Sequence, residues 1–252
     1  MFIDTHCHLS ESDYENIYNV IKEAKENKVE KLIISGCDKE SIKESIEIAK
    51  KYDNVYLSLG YHPSEANVIT DKDIEELKEI IKNNSKVIAV GEIGLDYYWE
   101  KENKDKQKDL FKKMLSIAKE LNLPVVIHSR EAFQDTYDIL KESKQKGVIH
   151  CFSGNLENAK MYINLGFSLG IGGIITFKNT NLKEVIKQLS LDNIILETDS
   201  PYLAPTTYRG KQNSPKYIPL IAEEISALKN TSIKEIMNKT TDNAKKIFKN
   251  IG

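Results

Sequence analysis

Cysteine is scarce in this 252-residue chain: there are three, Cys7, Cys37 and Cys151. Three thiols so far apart make no disulfide framework. A reducing compartment, the cytoplasm, is the expected setting, with the thiols as inert packing groups. No apolar run approaches the ~20 residues that span a bilayer. Strand-like residues begin at Phe2, which leaves no room for the basic and apolar regions of a secretory signal. Neither sign of charge dominates, with 36 Lys and Arg against 38 Asp and Glu. A surface-wide field that draws in nucleic acid or membrane is thereby excluded, although a local nucleic-acid site is not. No Gly-x-Gly-x-x-Gly follows the first strand-like run, so an open doubly wound sheet lacks its usual signature. Polar linkers and low-complexity stretches are missing too, and one domain over residues 1–252 is expected.

What remains is one repeated rhythm. Short apolar, β-branched runs alternate with longer amphipathic ones. The strand candidates are MFIDTH, KLIISG, VYLSLG, VIAVGEIG, PVVIHS, GVIHCFS, FSLGIGG and NIILETD. Helical spacing of apolar residues marks 14–27, 41–52, 71–83, 106–121, 131–144, 156–165 and 182–189. Nearly continuous apolar strands between helices indicate a parallel sheet covered on its outer face. Eight such units in about 250 residues predict a single (β/α)8 barrel of the TIM type. Residues 215–251 read as two extra C-terminal helices covering the exterior, with a capping box from Ser232 to Glu235 at the start of the last.

The five histidines share an address. His6 and His8 end the first run, His62 follows the third, His128 ends the fifth and His150 the sixth. Glu92 and Asp199 occupy the same place in the fourth and eighth. Strand residues i and i+2 share a face, ~6.5–7 Å apart, so His6 and His8 point together and Cys7 points away. An isolated His-x-His is more often a pair of satisfied histidines. Convergence on the C-terminal rim of a barrel, where barrel enzymes keep their chemistry, favours a metal site instead. Six candidate ligands, His6, His8, Glu92, His128, His150 and Asp199, exceed the three of a mononuclear catalytic zinc site. They suffice for two divalent ions, with Glu92 the best-placed bridge. Two ions ~3.5–4 Å apart clamp the oxygens of a displaced ester. Asp199 is the natural acid/base, able to accept a proton from the attacking water.

The stretches FIDTHCHL, GYHP, GEIGLDYY, PVVIHSR, HCFSG and ETDSPYLAP, in this order, resemble the TatD family of metal-dependent deoxyribonucleases, within the amidohydrolase-like barrels. The resemblance runs from Phe2 to at least Asn213. It implies metal ligation by the same six residues, and hydrolysis of DNA, often from the 3′ end. Mg²⁺ is the ion described for the family, and Zn²⁺ also occurs in such sites. A histidine-rich set binds Zn²⁺ or Mn²⁺ more tightly than Mg²⁺, so the working ion is open among the three. Ser64 stands where many relatives carry a second histidine after the GxHP proline, and His62 is assigned to substrate contact.

Four further stretches invite a reading. Arg130 either forks onto a phosphate or forms a salt bridge at the start of the next helix. Arg209 and Asn213, in the long loop after the eighth strand, are candidates for holding a phosphate or a base edge. The aromatics after Asp96 (Tyr97, Tyr98 and Trp99) either stack on unpaired bases or pack over the barrel mouth. Gly172 and Gly173 either admit substrate to the backbone or turn a tight corner. DNA is the expected partner, with no membrane or obligate protein partner implied. The competing functions are an amide or ester hydrolase of the amidohydrolase type, such as a deacylase of aminoacyl-tRNA or of a small ligand, and a non-catalytic binding barrel. A glutamate on strand four, where many two-metal amidohydrolases carry a carboxylated lysine, favours the deoxyribonuclease branch.

Overall fold

Each apolar run becomes a parallel strand. The structure, a computed structural model, describes residues 1–99 and 101–251. The strands are β1 (Phe2–Cys7), β2 (Val29–Gly36), β3 (Val55–Leu59), β4 (Val87–Asp96), β5 (Val125–Arg130), β6 (Gly147–Ile149), β7 (Ser168–Ile171) and β8 (Ile194–Leu196). They lie side by side in chain order, every ladder parallel. The β8–β1 seam is joined by single bonds. The Thr5 hydroxyl donates to the Leu196 carbonyl (2.9 Å), and Thr198 donates its N–H and hydroxyl to the Asp4 carboxyl (3.0 and 2.6 Å). Beyond the strands, Asp199 N–H donates to His6 O (3.0 Å) and His8 N–H to Ser200 O (2.6 Å). The sheet is thus a nearly closed (β/α)8 barrel.

Eight helices follow the eight strands: α1 (Ile17–Glu26), α2 (Lys39–Lys51), α3 (Asp71–Lys82), α4 (Lys104–Glu120), α5 (Phe133–Ser143), α6 (Leu156–Asn164), α7 (Leu182–Gln188) and α8 (Ile218–Lys229). Side-chain caps decide where α1 and α2 begin. α1 starts later than its apolar spacing suggests because the Asn16 side chain accepts from Asn19 N–H. α2 starts earlier, at Lys39, because Asp38 accepts from both Glu40 and Ser41 N–H (2.8 and 2.9 Å). The tail forms the two expected C-terminal helices, α8 after β8 and then α9 (Ile233–Ile247). Ser232 caps α9 as expected, accepting from Glu235 N–H (3.1 Å), while the Glu235 carboxylate takes the Thr231 hydroxyl instead.

The core divides into two parts. Outward strand residues such as Leu32, Ile34, Leu57 and Ile127 pack with the helices. Inward residues, among them Ile33, Val126, Val148 and Ile195, form a second cluster with Ala244, Phe248 and Ile251. α9 therefore does not lie wholly on the exterior: its end and the residues after it close the N-terminal mouth of the barrel. Val126 and Val148 stand two residues before His128 and His150, on the same inward face. The barrel is apolar at one end and polar at the other. No helix among the described residues is long and apolar enough to cross a membrane.

Candidate metal centre

Strand ends bring six side chains to one point. His6 Nε2 and His8 Nε2 lie 3.2 Å apart, and Cys7 turns away to the Ile33 carbonyl. Glu92 Oε2 is 3.4 Å from His6 Nε2 and 3.8 Å from His8 Nε2. Asp199 Oδ1 is 3.7 and 3.5 Å from the same two nitrogens. The other Glu92 oxygen, Oε1, faces His128 Nδ1 at 2.7 Å and His150 Nε2 at 3.1 Å. Glu92 thus presents one oxygen to each of two histidine pairs. The triads His6–His8–Glu92, His6–His150–Asp199 and Glu92–His128–His150 each have donor atoms close enough to hold one ion. Gly94 (φ 144°) makes this approach of β4 to β5 feasible, since a Cβ there would lie 2.0 Å from the His128 carbonyl oxygen.

The electrostatics are those of a cation site. Burial opposes charge on Glu92, yet the charge of His150 and hydrogen bonds from three histidines hold its carboxyl well below the usual range. Asp199 is lowered despite burial by His8, His150 and His6. Burial likewise opposes charge on His8, His128 and His150, but facing carboxylates raise all three: Asp199 for His8, Asp96 and then Glu92 for His128, and Glu92 and then Glu197 for His150. Two imidazole nitrogens 3.2 Å apart, beside two anionic carboxylates, are a donor set that a divalent ion fits, because it takes both lone pairs and neutralises both charges.

Three buried carboxyls lie behind this set, of which Asp96 and Glu197 were missed by the sequence reading, while Asp4 follows from its shared parity with His6 and His8. Asp96 Oδ2 is 3.0 Å from His128 Nε2, leaving Nδ1 to face Glu92. It is held at about 2: burial opposes its charge, but His128 and the N–H groups of Trp99 and Tyr98 favour it. Glu197 Oε1 is 3.3 Å from His150 Nδ1 and accepts from Cys151 N–H. Gly170 makes room for it, as a Cβ there would meet Glu197 Oε2 at 2.0 Å. Carboxylates bonded to the far nitrogens of metal-binding histidines orient the rings and raise their basicity. Asp4 lies deeper, pushed up to about 8 by burial against the hydrogen bonds from Thr198 and His6. The missed signal was spacing: Asp96 is four residues from Glu92 along β4, and Glu197 is two from Asp199, just beyond β8.

The expected substrate residues divide. His62 lines the cleft over the site, with Nε2 4.0 Å from Glu92 Oε1. Burial lowers its pKa to about 4, and its Nδ1 accepts from Ser64 N–H, so Nε2 carries the hydrogen and points inward as a donor. The Arg130 guanidinium lies over the rings of Tyr98 (4.1 Å) and Trp99 (5.5 Å). That of Arg209 lies over Phe177 (4.5 Å), and neither arginine lines the cleft. Asn213 is a correction. It is 0% exposed, with its amide donating to Thr198 O and Tyr202 O (2.7 and 2.6 Å) and accepting from Ser214 N–H. It pins the loop after β8 and has no donor left for a phosphate or base edge. Gly173 abuts the Leu203 carbonyl, so it turns a corner and does not admit substrate. Of the thiols, Cys7 is buried as expected, whereas Cys37 and Cys151 are half-buried.

Comparison with known proteins agrees with this geometry. A family described as TatD related DNase matches residues 3–249. The chain belongs to the TatD family. It is 41% identical to the uncharacterized metal-dependent hydrolase YabD of Bacillus subtilis, over 99% of both chains. Its identity to the uncharacterized metal-dependent hydrolase YcfH of Escherichia coli is 36%, covering 98% of this chain and 95% of that one. The crystal structure of the TatD homologue YJJV from Escherichia coli superposes with a TM-score of 0.92 at 30% identity, over 98% of both chains. As a TatD member the protein is a metal-dependent hydrolase, and its rim histidines and carboxylates are arranged for that metal.

Proposed function

We propose that the protein hydrolyses phosphodiester bonds of DNA, acting on single strands or accessible ends, with two divalent ions held by the six rim residues. The observation that carries this reading is the division of Glu92. Its Oε2 faces His6 and His8, which also face Asp199, and its Oε1 faces His128 and His150. A single carboxylate between two donor sets is what two adjacent ions need. Ions bound there would acidify a water and polarise a phosphoryl oxygen. The chain's own residues do the rest. Asp199, anionic and at the cleft, accepts the proton of the attacking water. His62 donates its Nε2–H to a phosphoryl oxygen, and Arg130 and Arg209 supply charge to the flanking backbone phosphates. The family description as a DNase supports the choice of DNA over other phosphodiesters. A cytoplasmic setting, with reduced thiols, belongs to the same proposal.

One observation favours a second reading. The cleft, about 1090 Å³, has a wall of Glu11, Asp38, Glu40, Glu44 and Glu65 against Lys43. That wall repels a polyanion and suits a small amide or ester. The nuclease reading accommodates it when the strand leaves the site on the opposite side, past β4 and β5.

The test is metal analysis joined to cleavage of end-labelled single-stranded DNA. About two ions per chain are expected after reconstitution with Mg²⁺, Mn²⁺ or Zn²⁺, with cleavage abolished by chelator and restored by metal. No uptake of any of these ions, or two ions without cleavage of DNA, would sink the proposal.

A further inference from the structure

Two exposed aromatic rings are tied to the metal centre by one carboxylate. Asp96 ends β4, and its Oδ2 faces His128 Nε2 at 3.0 Å. Its Oδ1 accepts from the N–H groups of Tyr98 (2.9 Å) and Trp99 (3.0 Å). The turn that carries the rings is therefore fixed by the same side chain that orients a candidate ligand. The sequence left open whether these aromatics pack or stack, and the structure divides them. Tyr97 packs inward, its hydroxyl donating to Asp135 (2.6 Å). Tyr98 is 42% exposed and Trp99 71%. Their rings meet edge to face, with centroids 4.7 Å apart.

Burial does not account for an indole that is 71% exposed. A long side chain also supports it, for Arg130, two residues after His128, lays its guanidinium over both rings. An exposed aromatic face, a cation beneath it and a metal centre one carboxylate away are the parts of a stacking platform for single-stranded nucleic acid. The charge on the two sides of the centre agrees. Lys101, Lys104, Lys106 and Lys108 follow the rings, balanced in the sequence by Glu100, Glu102, Asp105 and Asp109, whereas the wall on the β1–α2 side is acidic. A polyanionic strand meets less repulsion over Trp99 than past Glu40 and Glu44.

We infer that Trp99, with Tyr98 and Arg130, forms a stacking subsite for an unpaired base of the nucleic-acid strand whose phosphate lies at the metal centre. The inference rests on the nuclease reading but is tested separately, because Trp99 is the sole tryptophan of the chain. Its fluorescence reports contact directly. The metal-loaded Asp199→Asn protein is titrated with a 20-nucleotide oligothymidylate and with an abasic chain of the same length and charge. The thymidylate should quench Trp99 and the abasic chain should not. In parallel, the otherwise wild-type Trp99→Ala enzyme should show a KM for labelled oligothymidylate raised ~10-fold or more, with kcat within about twofold, and Trp99→Phe should restore most of the loss. Equal quenching by both chains, or an unchanged KM in Trp99→Ala while the parent enzyme cleaves DNA, would overturn the subsite. Base-dependent quenching by a protein that cleaves no DNA would support the platform and overturn the nuclease reading. Neither quenching nor cleavage would overturn both.

Discussion

Asp199 stands just beyond β8 in the left-handed region (φ 55°), and its N–H donates to the His6 carbonyl. Two separate groups therefore fix its carboxylate: the backbone of β1 behind it and the His8 ring in front. Glu92, by contrast, touches histidines of β1, β5 and the turn after β6 and is almost wholly enclosed. The two carboxylates should fail differently when neutralised. Asp199→Asn should keep the fold and at least one ion but lose ~10²-fold or more in kcat, the usual contribution of a general acid or base. Glu92→Gln should lose ions first, since the amide offers one weaker oxygen in place of two charged ones. Metal content and single-turnover cleavage, measured on both variants, separate these roles. Near-normal cleavage by Asp199→Asn would remove it from the chemistry, and full metal content in Glu92→Gln would remove the bridge.

At the scale of elements, strand length decides where each ligand sits. β4 runs ten residues and carries both Glu92 and Asp96 within its ladder, whereas β6 and β8 have three each and leave His150 and Asp199 on the turns beyond. Eight alternating units were legible because the strands are apolar on their outer faces and the helices between them carry apolar residues at helical spacing. The six rim residues were legible because they share one address in successive runs. Asp96 and Glu197 were not read, although their spacing was visible, because a carboxylate beside another carboxylate looks redundant until the far nitrogens of His128 and His150 are seen to need partners. Asn213 misled for the opposite reason: a loop amide suggests substrate, and only tertiary packing shows its donors satisfied. Caps were partly legible, and α2 gives a test. Asp38 caps two N–H groups and also receives the Ser41 hydroxyl (2.8 Å), at the helix end that lines the acidic side of the cleft. Asp38→Ala should cost about 1 kcal/mol, seen as a fall of ~2–4 °C in Tm for a chain of this size. Metal content should not change. A loss of ions with an unchanged Tm would show that Asp38 acts on the centre and not on the helix.

At the scale of the whole molecule, the barrel has two unlike ends, and each is closed by a different kind of chemistry. The C-terminal rim gathers charge, while the N-terminal mouth is sealed by α9 and the residues after it, with Phe248 and Ile251 set among Ile3, Ile33, Val126 and Ile195. The Thr241 hydroxyl donates to the Met1 carbonyl (2.8 Å), so the seal also ties the end of the chain to its start. Phe248 is fully buried, and removing its ring leaves a cavity that strands hydrogen-bonded around it cannot readily collapse to fill. Phe248→Ala should therefore cost ~3–5 kcal/mol and lower Tm by ~6–20 °C. Inward valines and isoleucines lie between this plug and the ligands. Metal content and kcat measured well below the new Tm should then stay within about twofold of the parent enzyme. A kcat that falls tenfold in protein still folded at that temperature would show that the plug sets the spacing of the rim. The apolar interior would then be a mechanical link between the two ends and not merely a core.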